Sequence, residues 1–219
     1  MMWQTRLNLF LKKISVKSDF YVDKIDKESS KSLLYNHHYL KDESKDFKSG
    51  YNYGLFKRTD WECPLRIGGC LAVCIFTGIP VPEVAKGAFG LERDEQKGLF
   101  ELSRLCVDPE LQKEEYNITS WFVSRCIKRF RKDVNVRAIL SYADSRHHSG
   151  TIYRACNFQY YGLTASKKDF YYADGTKHSR GPVKDADGEW RDRTRKHRYL
   201  MVFDKQLKVL WKQEKYGNK

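Results

Sequence analysis

Apolar and polar positions change period several times along this chain, and each change marks an element. LFELSRLCVD (99–108) has the apolar content of a strand. NITSWFVSRCIKRF (117–130) sets Ile118, Trp121, Phe122, Cys126, Ile127 and Phe130 on one stripe of a 3.6-residue helix. VRAILSYAD (136–144) returns to strand character, and the polar loop SRHHSG (145–150) leads into TIYRACNF (151–158), which carries a short helix. Strand, crossing helix and strand predict a right-handed βαβ unit with parallel strands. Ligands collect beyond the carboxyl ends of such strands, and here those ends carry Asp108 and Asp144.

The flanking chain extends the same sheet. SDFYVDKI (18–25) reads as a strand, and Asp26 to Ser30 offer N-cap chemistry for a short helix through Leu34 and Tyr35 that ends at NHHYLKDES. GYNYGLFKR (50–58) and RIGGCLAVCIFTGI (66–79) read as an antiparallel pair joined around TDWECP. PVPEVAKGAFGLERDEQKG (80–98) is a long connection, a candidate lid with room for a short helix. Residues 1–17 alternate apolar with basic positions, as an amphipathic arm or a strand would. With no repeat and no linker, 1–219 reads as one α/β (α+β) domain. Its insertion, 166–198, is basic and aromatic; a last strand at 199–203 and a basic tail at 204–219 follow.

Charge narrows the partner. The 41 Lys and Arg against 28 Asp and Glu leave a formal charge of +13, which favours an anionic partner, nucleic acid ahead of an acidic membrane surface. The six cysteines form no C-x-x-C pair and sit mostly in apolar runs, against a zinc ribbon or disulfide scaffold and in favour of a reducing cytoplasm. No run reaches the ~20 apolar residues of a membrane span, and the amino terminus shows no signal-peptide cleavage pattern.

Candidate chemistry follows from residues out of place. Strict alternation puts Leu102, Arg104 and Cys106 on one strand face and Glu101, Ser103, Leu105 and Val107 on the other. Arg104 is then a cation among apolar neighbours, which requires a salt bridge, to Glu101 or Asp144, or an anionic ligand. Asp144, beside Arg146, His147 and His148, reads as a general base, a metal ligand or a cap for the helix at 149–156. The Tyr153 phenol is a candidate general acid. His37, His38 and Tyr39 form a polar cluster at a helix end, which a solvated loop would also give. Asn117 or Thr119 can cap the long helix, leaving its N–H groups for an anion. Its basic far end (Arg125, Lys128, Arg129, Arg131, Lys132) suits the helix dipole or a solvated face. In the insertion, Phe170, Tyr171, Tyr172 and Trp190 interleave with Lys167, Lys168, Arg191, Arg193 and Arg195, a pattern able to neutralise phosphates and stack on bases.

The strand-helix-strand core followed by GTIYRACNF resembles the GNAT superfamily and its A-x-x-x-Y-x-x-x-G-F-like segment, with Asn157 where glycine is usual. FELSRLCVD, SYADSRHHSGTIYRACNFQYYGLT and NHHYLK together resemble the Mom-type proteins of bacteriophages, over roughly residues 30–165. The resemblance implies a GNAT-like mixed central sheet with flanking helices. It also implies an enzyme that adds a carbamoylmethyl (acetamido) group to N6 of adenine in double-stranded DNA, hiding the DNA from restriction. Carried over by motif, its site residues are His38 and Tyr39, Arg104, Ser120, Asp144 and Tyr153; the helix start at Asn117, Ile118 and Thr119, read above as an anion site, is the candidate cofactor-binding position. It further implies iron, for which His38, Asp144, Tyr153 and either His147 or His148 offer N and O ligands. A flipped adenine would stack on Tyr142 or Tyr153 while Lys167, Lys168, Arg191, Arg193 and Arg195 hold phosphates. PELQKEEYNIT lacks a Gly-rich cradle, which argues against acetyl-CoA and leaves the donor of the two-carbon unit open. A homodimer fits the reading, as does the host cytoplasm if the protein is phage-encoded. Two alternatives remain: a conventional GNAT N-acetyltransferase using acetyl-CoA on a small amine, protein or tRNA, and a basic DNA-binding protein without activity.

Overall fold

The computed structural model describes residues 19–38, 47–58, 69–178, 183 and 187–217. Its elements, in order, are β1 (Phe20–Lys24), α1 (Lys27–His37), β2 (Tyr51–Lys57), β3 (Ala72–Gly78), α2 (Pro82–Phe89), a 3-10 turn (Arg93–Gln96) and β4 (Leu99–Val107). Then come α3 (Pro109–Glu114), α4 (Ile118–Asp133), β5 (Ala138–Asp144), α5 (Thr151–Ala155), β6 (Gln159–Leu163), β7 (Lys168–Tyr172), β8 (Gly188–Asp192) and β9 (Lys196–Val202). Seven strands form one sheet in the order β1-β2-β3-β4-β5-β9-β6, while β7 and β8 pair apart as a two-stranded ribbon.

Strands β4 and β5 are the parallel pair of the expected βαβ unit; the other neighbours in the large sheet are antiparallel. The parallel pairing covers only Leu99–Ala138, Phe100–Ile139 and Glu101–Leu140, although β4 runs on to Val107 and β5 to Asp144. Beyond Glu101 the two strands splay into a V. That opening is where this sheet can admit a ligand without breaking a ladder.

Packing holds the V from both faces. Helix α4 buries Ile118, Phe122, Val123, Cys126, Ile127 and Phe130, the expected stripe with Val123 in place of Trp121. Phe130 stacks on Phe76 at 4.6 Å between centroids and meets the Phe100 ring edge-on at 4.8 Å. Each such buried ring contributes roughly 1.5–3 kcal/mol from water exclusion. On the opposite face, Leu33 and Leu34 of α1 pack with Val73, Ile75 and Cys106, and Ala85, Ala88 and Phe89 of α2 cover Leu99, Ala138, Leu140 and Leu200. The connection at 80–98 is therefore a packed helix with Pro82 in its first turn and Gly90 in the left-handed conformation at its end, rather than a lid.

One irregularity decides where the chemistry points. Ile75 faces Arg104 while Phe76 faces Leu102, so Ser103 is an extra residue bulged out of β4. Strict alternation fails there: Leu102 joins Phe76 under α4, and Arg104 shares the α1 face with Cys106. The bulge thus turns Arg104 away from Leu102, which alternation would have placed beside it.

The insertion contains the ribbon, and β9 begins at Lys196, ahead of the expected strand, and slots between β5 and β6. The ribbon's base is tied down by Thr164 N–H to Lys196 O (2.8 Å), Lys196 N–H to Thr164 Oγ1 (2.9 Å) and Ser145 N–H to Arg195 O (3.1 Å). Cys74, Cys106, Cys126 and Cys156 are free thiols, and no described helix is long and apolar enough to cross a membrane.

Candidate active site

A cleft of about 720 Å³ occupies the V. Its walls come from β4 (Ser103 to Val107, without Arg104), the chain from Asn117 to Ser120, Tyr142 of β5, the segment His148 to Tyr153, and His37 and His38 at the end of α1. With Pro109 and Gln112 of α3, six elements converge here, where the parallel pair of the sheet opens.

His38 ends α1, its backbone N–H donating to Leu34 O at 3.1 Å, and its side chain is buried at 6% exposure. Burial, then the Arg104 guanidinium and His148, push its pKa down to about 4, so the imidazole is neutral at neutral pH. Arg104 donates one Nη1 hydrogen bond, to Ser103 O at 2.8 Å, and its buried Nε has no partner among the described residues. The expected salt bridge of Arg104 to Glu101 or Asp144 does not form. A half-buried guanidinium with donors to spare is a site for an anionic or carbonyl oxygen.

Glu101, at the apex of the V, is a candidate that residue-by-residue reading passed over. Burial raises its carboxyl pKa, against the pull of Lys196 and Arg104. The signal was present, a carboxylate inside an apolar strand run, but only the fold brings Lys196 to it. Tyr142 follows on the same sheet face, its phenol pushed up by burial and by Glu101.

Asp144 closes β5 but is not among the residues lining the cleft. Its Oδ1 accepts from Arg146 N–H at 2.9 Å and its carbonyl from the N–H groups of His147 and His148, both at 3.0 Å, forming the turn that delivers His148 to the cleft. It does not cap the following helix, whose N-cap is Gly150 in the left-handed region (φ 74). Tyr153 lines the cleft, is buried at 6% exposure, and packs on Tyr199 (5.2 Å) and Phe158 (5.7 Å). Tyr39 lies outside the described residues.

The start of α4 differs from expectation. Asn117 is the N-cap in the left-handed region (φ 63), yet neither it nor Thr119 caps through its side chain. Ser120 Oγ instead donates to Asn117 O at 3.0 Å, Thr119 Oγ1 accepts from Gln112 at 3.3 Å, and Ile118 N–H donates to Glu115 O at 3.3 Å. Glu115 itself lines the cleft. A pyrophosphate would find the first amide engaged by the Glu115 carbonyl and no Gly-rich cradle before it, so this end is a poor fit for the diphosphate of acetyl-CoA. Asp108 caps α3, accepting from Glu110 N–H (2.8 Å) and Leu111 N–H (3.2 Å).

Among the described residues no three His, Cys, Asp or Glu side chains converge as metal ligands. The set His38, Asp144 and Tyr153 is split, two in the cleft wall and the third holding a turn.

The ribbon cations are engaged internally. Arg191 pairs with Glu189 (2.6 Å) and stacks over Tyr171 (4.5 Å); Lys177 and Arg193 share Asp169 (2.8 and 3.8 Å); Arg195 donates to Thr164 O (2.7 Å). Lys167 and Lys168 are exposed, and Trp190 is 58% exposed against buried Phe170.

The architecture is that of the GNAT acetyltransferases. A polyamine N-acetyltransferase of Drosophila melanogaster superposes with a TM-score of 0.50 at 12% identity, covering 84% of this chain and 100% of that one. NAA60 of Arabidopsis thaliana in complex with a bisubstrate analogue gives 0.49 at 9%, covering 84% and 99%. An acetyltransferase of Bacillus subtilis in complex with CoA gives 0.45 at 14%, covering 84% and 98%. At these identities the likeness is one of fold. No curated protein sequence matches the chain. Residues 19–218 match the model of the Mom protein family.

Proposed function

We propose, from the premise that this chain belongs to the Mom protein family, that it is a transferase that adds a carbamoylmethyl group to N6 of adenine in double-stranded DNA. The observation that carries the reading is neutral, buried His38 in the wall of the cleft, with the Arg104 guanidinium behind that wall near enough to depress its pKa and with a buried Nε unpartnered among the described residues. The product is joined through an sp³ carbon, so the reaction is alkylation at nitrogen rather than acyl transfer. The donor must therefore carry a leaving group on that sp³ carbon, whose bond breaks as the N6–C bond forms and which departs with the bonding electron pair; the N6 proton released in the same step goes to neutral His38. Arg104 would hold the amide or carboxylate oxygen of the incoming group. The adenine N6 amine projects into the major groove, and a flipped base would stack on Tyr142 or Tyr153 at the cleft.

The competing reading is a conventional acetyltransferase, and the two separate cheaply. Plasmid DNA from cells making the protein is expected to resist restriction enzymes whose sites contain adenine, and calorimetry is expected to show no acetyl-CoA binding. DNA that is cut normally, with tight acetyl-CoA binding, would overturn the proposal.

A further inference from the structure

A second concave surface lies outside the cleft, between the edge strand β1 and the outer side of α4, with a volume of about 650 Å³. Its two acids are already neutralised. Asp23 is bound by Arg129 at 2.8 Å, and Asp133 by Lys24 at 3.0 Å. Four other cations line it without an acidic partner among the described residues: Arg58, Arg125, Lys128 and Lys132.

Two of these cations are held on aromatic platforms, Arg125 over Trp121 at 5.4 Å and Arg58 over Tyr21 at 5.9 Å. Stacking fixes the guanidinium plane; Arg58 spends its Nε on Phe20 O at 3.5 Å, while the N–H fork of Arg125 is left for an outside acceptor. Beneath, Trp121 Nε1 is buried with no hydrogen-bond partner among the described residues. Arg125, Lys128 and Lys132 recur on one side of the helix and span ~10 Å of its axis. One DNA strand presents about three phosphates over that length. The contrast with the ribbon is direct, since Arg191 and Arg193 there are paired with Glu189 and Asp169. The groove also begins one residue after Ser120, where the cleft ends.

We infer that the groove between β1 and α4 is a phosphate-binding track for duplex DNA, holding backbone outside the modified base, an inference that rests on the DNA reading above. It assigns the duplex contact to the α4 face in addition to, and more strongly than, the ribbon.

The test uses the full chain and a short duplex followed by fluorescence anisotropy at several salt concentrations. Arg125, Lys128 and Lys132 are exposed, so the triple variant Arg125→Gln, Lys128→Gln, Lys132→Gln is expected to keep the wild-type circular dichroism and thermal midpoint. Its slope of log affinity against log salt is expected to be shallower by about 2–3. The pair Arg191→Gln, Arg193→Gln is expected to change the slope by less. If wild type binds duplex and the triple variant keeps both affinity and slope, the groove assignment falls and the DNA reading stands. Wild type that binds no duplex takes down both. A triple variant that loses binding only to phosphatidylserine vesicles would reassign the groove to a lipid surface and overturn the inference.

Discussion

Gly150 shows how a single residue holds the site. At φ 74 it starts α5, and a Cβ there would lie 2.5 Å from Tyr199 Cε2 and 3.0 Å from Tyr153 Cδ2. Gly150→Ala is therefore expected to cost roughly 1–3 kcal/mol, read as a lower urea midpoint, because both the backbone region and the rings resist it. His38 carries a pH signature. Its folded pKa of about 4 lies below the ordinary 6.5, so the unfolded chain binds more protons between those values. Stability present above pH 6.5 is lost as pH falls toward 4, and His38→Gln is expected to flatten that limb in urea titrations across pH. At this scale Arg104 was legible, because a cation in an apolar strand demands an explanation. Its orientation was not, since the bulge is a property of the β3–β4 register rather than of β4 alone.

Among the elements, α4 was readable nearly to its ends, because a stripe of large apolar residues repeating at 3.6 has few other uses. Phe130 anchors it among Tyr51, Tyr53, Phe76 and Phe100, and Phe130→Ala is expected to cost about 3–5 kcal/mol in chemical denaturation. The helix at 82–89 had its signals too, a proline in the first turn and a glycine just past the end, but its short apolar face reads as loop until β5 and β9 arrive beneath it. The ribbon was least legible, since β8 is exposed throughout and β7 buries only Phe170, too little of a face for periodicity to report. Deleting Ser103 removes the bulge but leaves Arg104 opposite Ile75 on the α1 face, directly after Leu102. The deletion is expected to retain both the sheet and most of the modification, measured by circular dichroism beside a restriction assay; complete loss of modification with the sheet intact would mean that the bulged backbone itself is needed.

The whole molecule separates scaffold from reach. Thr164 and Lys196 close the base of the insertion by backbone pairing. A chain in which 167–193 is replaced by a short Gly-Ser link is thus expected to unfold cooperatively near the wild-type temperature and to lose less duplex affinity, read by fluorescence anisotropy, than the α4-face triple variant. The V itself is an emergent property, visible only once β4 and β5 are seen to part after Glu101. Its family motifs were legible as sequence, whereas the convergence of α1, β4, β5 and α5 on one cleft depended on strand order. The most direct test of the account is mass spectrometry of nucleosides from plasmid DNA of cells making wild type, Arg104→Gln or Asp144→Ala protein. A deoxyadenosine heavier by one carbamoylmethyl group in the wild type, absent with Arg104→Gln and strongly reduced with Asp144→Ala, is the expected result. Unmodified deoxyadenosine in the wild type, or full modification by Arg104→Gln, would contradict it.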